Sequence, residues 1–220
     1  MIMDLPKEFS IGNARQKNDA FIENGILKIR KEASYRYVIY ELTFKMKGGK
    51  HFCNYCKKEF SDKKVTMDHM YPQDMGGPTI TNNLIPSCQE CNNKKSDMTK
   101  AQYEKYLELK KSERHKDFLK NLKEYKEFIK KWYEYEIPKE WISKRKISTI
   151  ILEVRLEDCT KTSKYRAVEK FYSKYGHIPK PIIVDKNGFL LDGFYSVIFA
   201  KNNLITSLPA IELENVEVIM

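Results

Sequence analysis

The chain has 220 residues, 41% of them hydrophobic and 12% aromatic, an ordinary globular composition that excludes a disordered chain. Its length gives room for one large domain or two modest ones, each with its own core. No apolar run approaches the roughly 18–20 residues of a membrane span, and the amino terminus lacks the apolar core of a secretory signal, so the cytosol is the expected compartment.

Net charge is +10 but unevenly placed. Lys plus Arg against Asp plus Glu is 14 against 11 over residues 1–93, 17 against 10 over 94–146, and 9 against 9 over 147–220. The excess in the middle points to a polyanion meeting that segment. A solvated helix face rich in Lys-Glu pairs is the plainer explanation of the same charge.

Residues 14–47 place Tyr35, Tyr37, Val38, Tyr40, Leu42 and Phe44 at roughly helical spacing, which predicts a helix ending at Gly48-Gly49. A cysteine frame follows over about residues 50–97. Thr99 with Gln102 then forms a capping box, and Phe118, Leu119, Leu122, Tyr125, Ile129 and Trp132 give one apolar stripe opposite a lysine-rich face, up to Pro138. A stripe of this kind is a core face before it is a ligand box.

The pattern changes near residue 147. "ISTIILEVRL" reads as a strand, "SKYRAVEKFYSKYG" as a helix closed by Gly176, and "KPIIVDKNGFLLDG" as two short strands around Asn187-Gly188. "FYSVIFAKNN" reads as a helix and "PAIEL" as a strand. The expected division is residues 1–98, an amino-terminal helix with the cysteine frame; 99–146, a basic helical segment; and 147–220, a small neutral α/β unit. The expected class is α+β.

Four of the five cysteines form two CxxC pairs, Cys53 with Cys56 and Cys88 with Cys91, about thirty residues apart. In a reducing compartment this spacing indicates metal, and four thiolates suit a tetrahedral structural zinc with no open position for chemistry. Cys159 stands apart and is given no role. Between and after the pairs come Asp68, His69, Asn83 and Asn92. Asp68 and Asn92 offer hard oxygen donors, which favour magnesium or manganese over zinc. Neighbouring strand residues point to opposite faces, so a twist or bulge at Asp68-His69 is needed for both to serve one centre. His51 and His115 read as packed or solvated side chains and His177 as a loop residue.

The run "CNYC…MDHMYPQDMGG…TNNLIPSCQECNNKK" resembles the HNH endonuclease family in its zinc-stapled form: CxxC, DHxxP, a Gly-Gly turn, NL, then CxxCN with a following lysine. The resemblance implies a ββα-metal core, two strands and a helix that clamp one divalent cation. By motif position His69 resembles the general base, Asp68 and Asn92 the metal ligands, and Asn83 the asparagine that holds the loop and orients the histidine. Lys94 and Lys95 fall where phosphate contacts are expected. Asn92 stands in place of the last histidine, a variant shared with the HNH domains of RNA-guided CRISPR nucleases. DNA is the implied substrate, with RNA open to the same chemistry. A catalytically silent zinc module that binds nucleic acid or a protein is the alternative.

The segment "VEKFYSKYGHIPKPIIVDKNGFLLDGFYSVIFAKNNLITSLPAIEL" resembles a ParB-like (sulfiredoxin-like) domain. That family carries a His-Arg or Arg-Arg pair where Tyr195 and Ser196 stand here, so the resemblance implies a degenerate unit for substrate positioning or for contact with a protein partner or a second copy.

Overall fold

The computed structural model describes residues 4–9, 11, 19–48, 52–60, 64–111, 114–132, 137–152 and 159–220, and of 125–132 the backbone alone. The first elements are a β-hairpin, β1 (Ala20–Glu23) and β2 (Ile26–Arg30), in full antiparallel register. Asn24 and Gly25 turn it with φ of 52° and 76°, the paired positive values that a two-residue hairpin loop needs. A helix was expected here; helical order begins only at α1 (Tyr35–Met46). Its apolar positions Tyr35, Val38, Ile39 and Leu42 are buried.

The cysteine frame contributes a second hairpin, β3 (Val65–His69) with β4 (Leu84–Cys88), followed at once by the short helix α2 (Gln89–Lys95). Next come α3 (Lys100–Lys110) and α4 (His115–Trp132), two helices where one was expected. The capping box is present in full: Gln102 N donates to Thr99 Oγ1 at 3.2 Å and Thr99 N to Gln102 Oε1 at 2.8 Å. Tyr103 and Leu122 bury against Cys53, Tyr55, Phe60, Ile85 and Cys91, so the pair roofs the cysteine frame. The stripe residues Tyr125, Ile129 and Trp132 have side chains outside the description.

The remaining elements are β5 (Ser143–Lys146), α5 (Ser163–Tyr175), β6 (Ile182–Asp185), β7 (Leu190–Asp192), α6 (Phe194–Asn202), β8 (Ser207–Leu213) and β9 (Val216–Ile219). They build a four-stranded sheet in the order β5-β8-β6-β7, and β9 pairs in parallel with β2 to make a three-stranded one. The strand expected over "ISTIILEVRL" is displaced. Ile147–Thr149 form a 3-10 turn, Ile151 makes a single bridge to Phe189, and residues 153–158 lie outside the description. The edge strand is instead "SKRK", antiparallel to β8.

Contacts cross the boundary expected at 146. β5 lies before it yet belongs to the later sheet, and one buried cluster joins Leu27, Ile39 and Leu42 to Leu84, Ile183, Ile211 and Val216. Buried Asp185 ties these layers together: Oδ1 accepts from the backbone of Asn187 and Phe189, and Oδ2 from Val218 of β9. Helix α1 is thus packed between the β3–β4 hairpin and the sheets. Among the described residues, no helix is long and apolar enough to cross a membrane.

Candidate active site and cysteine cluster

The four sulfur atoms of Cys53, Cys56, Cys88 and Cys91 lie within 4.8 Å of one another, and Cys56 Sγ is 3.9 Å from Cys88 Sγ. Zinc–sulfur bonds of ~2.3 Å in a tetrahedron place sulfurs ~3.8 Å apart, so the spacing of the donor set is close to what that ion needs. Burial alone would raise the Cys53 thiol, but hydrogen bonds from the backbone of Cys88, Cys56 and Tyr55 bring it down to about 7. Such bonds favour the thiolate that a metal takes.

The β3–β4 pairing runs without a register shift, Asp68 opposite Ile85 and His69 opposite Leu84. Of the twist or bulge expected at Asp68-His69, the bulge is absent. On one face of β3, Thr66 and Asp68 look toward α2, whose Asn92 and Lys95 lie three residues apart and so share a helix face. Asn92 Nδ2 donates to Thr66 Oγ1 at 3.1 Å, which leaves its Oδ1 as an oxygen donor. Lys95 Nζ donates to Asp68 Oδ1 at 3.0 Å and to the His69 carbonyl at 2.8 Å. Tyr55 OH donates to Asp68 Oδ2 at 2.5 Å. His69 is the last residue of its strand, so its ring reaches the same opening around the strand end. Asp68, His69, Gln73, Asn92, Lys95 and Asp97 line one cavity of about 260 Å³.

Burial raises the Asp68 carboxyl despite opposing contributions from Lys95 and Tyr55. Burial also lowers the His69 imidazole, helped by the positive charges of Lys95, Arg36 and Lys180, to about 4. At neutral pH the ring is therefore an uncharged base. Its Nε2 lies 2.9 Å from Thr79 Oγ1, which also accepts from Gln73 Nε2 at 2.9 Å.

Asn83 does not line the cavity. Fully buried, it accepts from Tyr71 N at 2.8 Å and donates to the carbonyls of Tyr71 and Pro78 at 3.0 and 2.8 Å. These bonds close the loop between β3 and β4 over the histidine. Gly77 completes that loop: a Cβ there would fall 1.7 Å from the Tyr71 carbonyl oxygen, so no other residue allows the approach.

The two lysines differ from a matched pair of surface contacts. Lys94 is exposed and meets Glu90 at 2.6 Å, whereas the Lys95 side chain is 1% exposed and faces Asp68. On α3, Lys100 and Lys105 pair with Glu104 and Glu108, so part of the basic segment is the solvated face that the composition allowed. His115 lies edge-on to Tyr106, His177 packs on Phe171 and Tyr175, and His51 is outside the description.

Sequence reasoning missed Tyr55, Gln73 and Thr79. Tyr55 carried a faint signal, a phenol inside the first CxxC that a buried carboxylate could use; the other two carried none, because their roles depend on how the loop closes.

The chain matches no curated protein. The likeness expected for the carboxy-terminal unit to ParB-like domains gains no support from the comparisons. Residues 53–108, which span the cysteine cluster, the β3–β4 hairpin, α2 and most of α3, match the family model described as HNH endonuclease.

Proposed function

We propose that the chain is a metal-dependent HNH endonuclease that hydrolyses DNA phosphodiester bonds, one strand per active site, in the cytoplasm. The observation that carries this reading is the convergence of Asp68, His69 and Asn92 on one cavity beside the four-cysteine cluster. In this reading a zinc ion held by Cys53, Cys56, Cys88 and Cys91 staples the frame. Asp68 and Asn92 would hold magnesium or manganese, whose chemistry is to offset charge on the phosphate and on the departing oxygen.

Neutral His69 takes the proton of the attacking water, and the Thr79 hydroxyl fixes the ring while it does so. Asn83 acts through the loop and is a positioning residue. Lys95 supplies a fixed positive charge at the cavity floor, and Lys94 is free to exchange Glu90 for a phosphate.

The test is supercoiled plasmid incubated with magnesium or manganese, wild type beside His69→Ala. Conversion to the nicked form by wild type, and its loss in the variant, is the expected result. An intact plasmid with both proteins across pH and metal would leave a silent zinc module; equal cutting by both would remove His69 from the chemistry.

A further inference from the structure

A second cavity, about 820 Å³, opens beside the candidate active site. Its volume lies in the range of ligand sites. Its walls include Arg36 from α1, Lys164 and Phe171 from α5, Lys180 just before β6, and Phe194 and Tyr195 at the start of α6. Gln73 and Asp74 line both cavities. The separation from the imidazole is small in bonding terms, since Gln73 joins Thr79 and Thr79 joins His69.

The lining is chemically specific. Phe171, Phe194 and Tyr195 are half-buried rings, and Lys164 Nζ stands 6.0 Å from the centre of the Tyr195 ring. Aromatic platforms beside ammonium groups are what single-stranded nucleic acid requires, a ring for each base face and a cation for the phosphate. Asp192 pairs with both Arg36 and Lys180, at 3.0 and 3.1 Å, so these two cations are fixed in the wall. A base inside a duplex cannot reach a side cavity while it remains stacked and paired.

We propose that this cavity receives an unpaired nucleotide of the substrate strand, next to the bond that is cut. The inference rests on the nuclease reading and gives the carboxy-terminal unit a part in choosing substrate. It makes single strands, or duplexes with unpaired bases, the preferred class. Tyr195 is the stacking platform and Lys164 the phosphate contact.

The test separates base contacts from chemistry by measuring binding with no magnesium or manganese added. Full-length protein is titrated into a labelled short single strand, and into an abasic sugar-phosphate strand of equal length and charge. Wild type should bind the strand with bases about tenfold more tightly. Tyr195→Ala should erase that preference and Tyr195→Phe should keep it, which guards against a variant that simply misfolds. Equal affinity of wild type for both strands would overturn the proposal. So would a free mononucleotide binding as tightly as the strand, since the cavity would then serve a small molecule. A base preference in a protein that cuts no plasmid would uphold the cavity assignment while the nuclease reading falls.

Discussion

Lys95 and Asp68 form a buried ion pair at 3.0 Å, with side chains only 1% and 3% exposed, on the floor of the candidate active site. Each charge is tolerable there because of the other, and the remaining Asp68 oxygen is satisfied by Tyr55. Removing one partner strands the other, at a cost of about 3–5 kcal/mol. Lys95→Met should therefore lower unfolding stability by that order in urea titrations without divalent metal. Added manganese should restore part of it, because a cation held by Asp68 binds only the folded chain. A variant as stable as wild type would show that Asp68 is protonated or rehydrated instead.

Asn83→Asp keeps the acceptor for Tyr71 N but replaces the two donated bonds with a second oxygen facing two carbonyls. Leaving such buried groups unmatched costs about 1–3 kcal/mol each. The variant should lose about 2–5 kcal/mol of stability, and at permissive temperature should cut plasmid at least about tenfold more slowly. Wild-type rates in a destabilised protein would separate the loop from the orientation of His69.

The sulfur cluster makes an elemental prediction. Purified protein should contain about one zinc per chain, and Cys88→Ser should lose it together with a large share of its thermal stability. Cys88 is chosen because it also caps α2, accepting from Cys91 N at 3.5 Å. Well-folded wild type free of zinc would remove the staple.

Asp192 links stability to pH. Burial on its own would raise its carboxyl, but Lys180 and Arg36 outweigh it and hold the group below the usual carboxylate range. A depressed folded value means that the contribution is complete above the unfolded pKa of ~3.9 and is lost as pH falls through the folded one. Urea midpoints measured downward from pH 5 should fall more steeply for wild type than for Asp192→Asn. Parallel curves would show that the pair contributes nothing in solution.

How much of this was legible depended on the range of the interactions involved. The CxxC pairs were readable because metal binding fixes residue types at short spacings, and Asp68, His69 and Asn92 were singled out through the motif that resembles the HNH family. The Thr99 capping box and the helix ending at Gly176 were readable because caps, too, fix residue types at short spacings. Asn24-Gly25 was a legible hairpin signal that the aromatic periodicity beyond it obscured. The placing of Lys95 was not legible, since a lysine on a seven-residue helix reads as exposed until β3 is laid beneath it. Nor was the pairing of β2 with β9, where nothing local in either strand names its partner. The two-cavity arrangement depends on that long-range packing and was therefore invisible.

The Lys28–Glu217 bond between β2 and β9 spans 189 positions of sequence. At about 5–20 residues per second, a ribosome delivers the later strand roughly 10–40 s after the earlier one. The first hairpin emerges without its neighbour. Whatever stability β9 lends the open edge of that hairpin is therefore absent while residues 216–219 are still to be made.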